Sequence, residues 1–279
     1  MYYFYEGRTA RGIGYMSWAL LTVMIAVIVL GLASAAMGLL FGVLLQNPLA
    51  LLGPLVGVVL ALCGAVLAEL AAAILFLLGF YQVHAGRHEY GLEQTRSMER
   101  ALIFLIVYIV LTAVTFVFTS TGGLFLGVVS SPATPMLLGT LVLNPVVAFF
   151  AGLTLVHSIR TLATPETRSR LRTALVLGVV GACVGPALTL IATTAGTTTV
   201  AQYSAGLVAA ALAGQGIAAI SLFLFWLAYL ETRKGLDAGR PAPVLPRIEQ
   251  AYPWLYRPWV QYPYPYPPAN PPPPEPPKT

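Results

Sequence analysis

Apolar residues fill this chain in three long blocks that contain no lysine or arginine: Gly12 to Gly86, Ala101 to Ile159 and Thr173 to Thr232. A helix needs about 20 apolar residues to cross roughly 30 Å of hydrocarbon, so each block is too long for one crossing. Each is also interrupted near its middle by turn-forming residues: Gln46-Asn47-Pro48, then Ser130 to Pro135, then Thr194 to Ser204. The pattern predicts three helical hairpins, with spans at about 15–45, 50–81, 101–121, 137–159, 173–194 and 205–230. Ala33-Ser34-Ala35 has the small-residue form of a signal-peptidase site. The apolar run continues through Leu45, however, so it is expected to remain a span. The predicted fold is all-α: a polytopic transmembrane bundle over residues 15–232, between a short segment 1–14 and a tail, 233–279, rich in proline and aromatic residues.

Composition agrees with this pattern. Only 9% of the residues are charged and 58% are hydrophobic, whereas a soluble domain carries about 25% charged residues. The main partner is therefore expected to be the lipid bilayer. The net charge of +5 does not form a basic stripe or a reading helix, so no nucleic acid is expected. Instead the basic residues collect in alternate connections. Arg8 and Arg11 precede span one; Arg87, Arg96 and Arg100 follow span two; Arg160, Arg168, Arg170 and Arg172 follow span four; Arg233 and Lys234 follow span six. The positive-inside rule then places both termini and these connections in the cytoplasm, with the protein in the cell membrane. Tyr15, Trp18, Phe80, Tyr81, Trp226 and Tyr229 fall near the same ends, where amphipathic rings favour the headgroup level. Cys63 and Cys183 lie within apolar runs and are expected to behave as small hydrophobes.

The ends of the spans repeat. Span two leaves as Gly79…Val83-His84…Arg87 and span four as Gly152…Val156-His157…Arg160, both G-x-x-x-V-H-x-x-R, with a weaker echo at Glu231…Lys234. Spans three and five begin with Thr95-Arg96-Ser97…Arg100 and Thr167-Arg168-Ser169…Arg172. Two matches in one register suggest three hairpin repeats inserted the same way, as occurs in transporters. The plainer account is that helix starts favour Thr or Ser caps and arginines that reach back to the headgroups. On either account His84, Arg87, Arg100, His157, Arg160 and Arg172 are expected to be interface anchors.

Within the hydrocarbon the polar groups are few. Glu69 is the one acidic side chain well inside a span, where a charge costs about 2.5–3.5 kcal/mol on insertion scales. Ala61, Ala65, Ala68 and Ala72 make a small-residue stripe beside it, suited to close helix contact. Asn144 and Gln215 stand at a comparable distance from the ends of spans four and six, so all three share roughly one depth. They are expected to form an intramembrane polar cluster able to take a proton, a cation or a polar solute. The alternative is hydrogen bonding between helices as packing glue. Pro145 and Pro186 mark expected kinks. The pairs Gly38/Gly42, Gly53/Gly57, Gly123/Gly127 and Gly181/Gly185 mark close helix packing, through which oligomers can form.

No catalytic constellation is present: no Ser-His-Asp order, nucleophile elbow, P-loop or zinc-protease motif, so enzyme activity is not expected. His84 and His88 at i, i+4 have no joining Cys or Asp, and neither a metal nor a cofactor is predicted. The tail beyond Pro241, with Tyr262-Pro263-Tyr264-Pro265-Tyr266 and Pro271 to Pro274, is expected to be extended and mostly disordered. Such a segment suits a cytoplasmic partner with an aromatic groove.

The run Gly79-Phe80-Tyr81…Gly86-Arg87…Glu89-Tyr90-Gly91, with the six-span layout and the proline-rich tail, resembles an uncharacterised family of archaeal polytopic membrane proteins. The resemblance implies a membrane protein and lends no activity or ligand. Two functional classes are expected from the residues themselves. One is a small-solute or ion transporter using the polar cluster; the other is a non-transporting scaffold whose tail recruits a partner.

Overall fold

The computed structural model describes residues 7–44, 52–125, 133–194, 200–239 and 241. They form six α-helices: α1 (Arg8–Leu44), α2 (Leu52–Ala85), α3 (Leu92–Phe125), α4 (Ala133–Ile159), α5 (Pro165–Thr194) and α6 (Val200–Asp237). All six are long and apolar enough to cross a membrane. In hydrocarbon every backbone polar group must be satisfied within its own segment, which favours helices throughout. The expected turn at Gln46-Asn47-Pro48 and the proline-rich tail beyond Pro241 lie outside the described residues, as do Ser130 to Pro132 and part of the Thr194 to Ser204 segment. Several helices begin before the spans drawn from hydropathy: α1 at Arg8, α3 at Leu92, α5 at Pro165. Hydropathy marks where the chain prefers lipid, whereas backbone hydrogen bonding continues into the polar zone.

Large apolar side chains point outward. Leu60, Leu67 and Phe116 are 66%, 67% and 71% exposed, a surface that suits acyl chains and not water. The architecture is that of a multi-pass membrane protein.

α1 packs between α2 and α6, α5 packs between α4 and α6, and α3 packs on α4. The order around the bundle is thus α2, α1, α6, α5, α4, α3, and α2 and α3 barely touch although one short loop joins them. That loop is engaged elsewhere. The Glu89 carboxylate accepts hydrogen bonds from the backbone N–H groups of Arg8 and Thr9, at 3.1 and 3.3 Å, and so caps the N-terminus of α1. The Thr9 hydroxyl donates to the Gly86 carbonyl at 3.1 Å. Gly91, at φ +90°, turns the chain into α3.

Similar ties close the other two hairpins. Gln94 of α3 donates its side-chain N–H to the Ser158 carbonyl of α4 at 3.1 Å, and the Ser97 hydroxyl donates to the His157 carbonyl at 2.6 Å. In the third hairpin Thr167 of α5 donates to the Glu231 carboxylate of α6 at 3.1 Å, and Arg170 pairs with the same carboxylate. Thr164 and Pro165 start α5 as N-cap and first helical residue, the Thr167 N–H reaching the Thr164 hydroxyl at 3.3 Å. The first turns of α1, α3 and α5 thereby lie beside the last turns of α2, α4 and α6. All the arginine-bearing connections gather at one end of the bundle.

The tightest packing is at this arginine-bearing end. Ile13, Met16, Val83, Met98, Ile159 and Leu171 are fully buried there. Glycines let the backbones approach: a Cβ on Gly12 would lie 2.6 Å from the Gly79 carbonyl oxygen, and one on Gly214 would lie 2.9 Å from the Gly185 Cα. Gly181 and Gly185 therefore serve contact with α6 of the same chain. Ala65 and Ala72 of the α2 stripe are buried, and Ala61 and Ala68 half-buried.

The aromatic ring expectation divides. Tyr15, Trp18 and Tyr81 are exposed, as residues at a headgroup level are, but Phe80 and Tyr229 are buried in the core. The reason for Tyr229 is its hydroxyl, which lies 2.6 Å from the Ser158 hydroxyl and donates to the Leu155 carbonyl at 2.9 Å. A phenol with both partners inside the bundle gains nothing by reaching the interface.

Two substitutions test these ties. Glu89→Ala removes the cap of α1 and is expected to lower the unfolding free energy in detergent by about 1 kcal/mol. Tyr229→Phe removes a buried hydroxyl and is expected to cost about 1–2 kcal/mol. Chemical denaturation followed by circular dichroism reads both.

Candidate functional site

Above the packed end lies a cavity of about 670 Å³, bounded mainly by α4, α5 and α6 with Ser34 of α1. Its size falls within the range of ligand-binding pockets. Its lowest residues, Leu155, Leu175 and Phe225, adjoin the Tyr229–Ser158 pair, and it extends upward past Asn144 and Gln215 to Thr140 and Thr189.

Each helix presents one face to it at helical spacing. On α4 the lining residues include Thr140, Asn144, Ala148, Ala151 and Leu155, and on α6 they include Ala211, Gln215, Ala218 and Leu222. Gly178, Gly181 and Gly185 of α5 line it while making the close approach to α6. Small residues on three adjacent helices leave the space; the two amides enter it.

Asn144 and Gln215 are half-buried on this lining. Among the described residues neither side-chain amide has a hydrogen-bond partner. Two unpaired primary amides at this depth are costly unless water or a ligand satisfies them. Gln215 is held from behind by α1: a Cβ on Gly31 would lie 2.9 Å from the Gln215 Cβ. Glycine at position 31 lets Gln215 stand where it does.

Glu69 does not share this place. It is exposed on α2, whose principal neighbour is α1, and it is not part of the cavity lining. The structure brings together two of the three residues aligned by depth and leaves the carboxylate apart. Pro145 and Pro186 lie inside helices α4 and α5, which continue through them. Pro186 is on the lining, and since it has no N–H it leaves the carbonyl of Ala182, also on the lining, without its helical donor.

The other residues singled out by sequence lie at the arginine-bearing end. Arg100, Arg160 and Arg172 are exposed. An N–H of the Arg87 guanidinium donates to the His84 carbonyl at 3.0 Å. The His157 ring has Nδ1 at 3.0 Å from the Leu153 carbonyl and meets Phe104 edge-on. His88 approaches the Thr95 hydroxyl at 3.3 Å. Tyr90, half-buried in the loop, has its phenol pushed up to about 12, first by burial and then by Glu89 and Asp237. It stays neutral at any physiological pH.

Compared with protein-family models, curated proteins and solved structures, the chain matches none. The geometry of the cavity is therefore the ground for a functional reading.

Thr140, Thr189, Ser34 and the buried pair Gln94 and Ser158 were not expected as site or lock residues. A signal existed for Thr140, one turn before Asn144 on the same helical face. None existed for Ser34, because nothing in the sequence pairs α1 with α4 to α6.

Gly31→Ala is expected to push Gln215 or part α1 from α6, lowering thermal stability by about 1–3 kcal/mol. Gly57→Ala, where nothing lies within 4 Å of the added carbon, is expected to be neutral within about 0.5 kcal/mol. Equal effects in a thermal-shift series would contradict this placement of Gln215.

Proposed function

We propose that this protein binds a small polar solute in the cavity between α4, α5 and α6 and conducts it across the cell membrane, acting as a non-enzymatic transporter. Asn144 and Gln215 are the recognition groups. One observation carries the reading: two amides with unused hydrogen-bonding capacity stand on the wall of a roomy cavity, within helices long enough to span the bilayer. Amides serving as packing glue would be bonded across a helix contact, and neither of these is.

In this reading the arginine-bearing end faces the cytoplasm, since short loops rich in arginine are retained on that side. The Tyr229–Ser158 pair and the side chains of Leu155 and Phe225 form the closed floor of the cavity on that side. In this reading passage requires this floor to open.

The test is cysteine accessibility. With Cys63 and Cys183 replaced by alanine, Asn144→Cys and Gln215→Cys are expected to react with a membrane-impermeant thiol reagent applied to proteoliposomes. Leu67→Cys, on a lipid-facing surface, is the control. Reaction at 144 and 215 no faster than at 67 would mean a dry helix contact, and the transport reading would fall.

A further inference from the structure

Among the described residues the cavity wall carries polar groups of both hydrogen-bonding senses and no ionisable side chain. Ser34, Thr140, Asn144, Thr189, Gln215 and Ser221 supply the polar side chains; the rest of the lining is glycine, alanine, leucine, proline and phenylalanine. We propose that its occupant is an uncharged solute that both donates and accepts hydrogen bonds, of the amide or polyol class, and not an ion. The inference rests on the solute-binding reading above and deepens it by naming the class.

The electrostatic argument comes first. An ion taken out of water loses several kcal/mol of hydration that only a counter-charge or a full shell of oriented dipoles restores. Among the described residues no counter-charge stands on the wall, because Glu69, the mid-span carboxylate, is on another helix and outside it. Hard cations take about six to eight oxygen ligands at roughly 2.3–2.6 Å, a shell far smaller than a space of about 670 Å³. An anion would need cationic side chains, and the arginines lie at the far side of the Tyr229–Ser158 floor.

The hydrogen-bond inventory points the same way. Each primary amide offers two N–H donors and a carbonyl acceptor. The Ser221 and Thr189 hydroxyls have already given their protons, to the Ala174 carbonyl at 2.7 Å and the Gly185 carbonyl at 2.9 Å. Both therefore offer oxygen lone pairs, and the Ala182 carbonyl released by Pro186 adds another acceptor. A wall that mixes donors with acceptors repels part of any ion's shell and matches a solute that carries both. The remaining surface is apolar, and accommodates the carbon skeleton of such a molecule.

A shape-matched pair of probes decides the matter. Lactamide and lactate have nearly one shape and differ in charge; erythritol and potassium ion extend the comparison. In proteoliposomes, lactamide and erythritol are expected to cross faster than in protein-free vesicles, and the gain is expected to fall about tenfold in Asn144→Ala and Gln215→Ala, as for loss of about 1.4 kcal/mol of binding. Lactate and potassium fluxes are expected to equal those of protein-free vesicles. As an equilibrium measure that keeps both amides, lactamide or erythritol is expected to slow thiol labelling of Ala148→Cys on the same lining, with lactate and potassium salts without effect. Protection of Ala148→Cys by lactate or potassium, or flux of either that is lost in Asn144→Ala, would overturn the class while leaving the transport reading intact. Labelling at 144 with neither flux nor protection by the neutral probes would also overturn it. Absence of labelling at 144 and 215 would remove the transport reading itself.

Discussion

Inside a bilayer apolar side chains gain nothing by leaving lipid for one another, so helices associate through close backbone contact and through hydrogen bonds. Every feature of this bundle follows from that constraint. Where the backbones meet, glycine is found: Gly12 on Gly79 between α1 and α2, and Gly181 and Gly185 on Gly214 between α5 and α6. Where hydrogen bonds cross between helices, they cluster at the arginine-bearing end: Thr9 and Glu89 in the first hairpin, Gln94 and Ser97 in the second, Thr167 and Arg170 in the third. These are polar-zone residues, placed where water and headgroups soften the cost of any imperfect bond.

The division of labour along the membrane normal is the result. Fully buried side chains and interhelical bonds fasten one end, and the middle of the bundle is held by small residues that touch through backbone and leave volume unfilled. Tyr229 is the link between the two levels. Its ring belongs to the packed core, and its hydroxyl, with Ser158 and the Leu155 carbonyl, lies against the bottom of the cavity.

Much of this was legible in the sequence. Three blocks without lysine or arginine, each broken once, specify six helices in three hairpins, because the transfer energy of an apolar stretch depends on composition and little on neighbours. Depth was legible for Asn144 and Gln215, since a helix rises a fixed distance per residue. Azimuth was not. Glu69 matches them in height, but which face of α2 meets which helix depends on contacts between segments far apart in sequence. α1 lies next to α2 in the ring, and α6 lies beyond it. Tyr229 shows the same limit from the other side: a tyrosine near a helix end reads as an interfacial ring until a serine of another helix supplies a buried partner. The repeated G-x-x-x-V-H-x-x-R glycines also diverge in use. Gly79 meets α1 of its own hairpin, whereas Gly152 meets Leu175 of α5 in the next one.

The seam between α2 and α3 has a mechanical meaning. Around the bundle each helix grips both neighbours except here, where the connecting loop is bound to the start of α1 and the two helices pass with hardly a contact. A hoop cut at one place deforms by spreading at the cut, and its intact joints keep their geometry. Changes in girth are thus absorbed between α2 and α3, the pair farthest around the hoop from the α5–α6 crossing, while the Gly181, Gly185 and Gly214 contact keeps its fit.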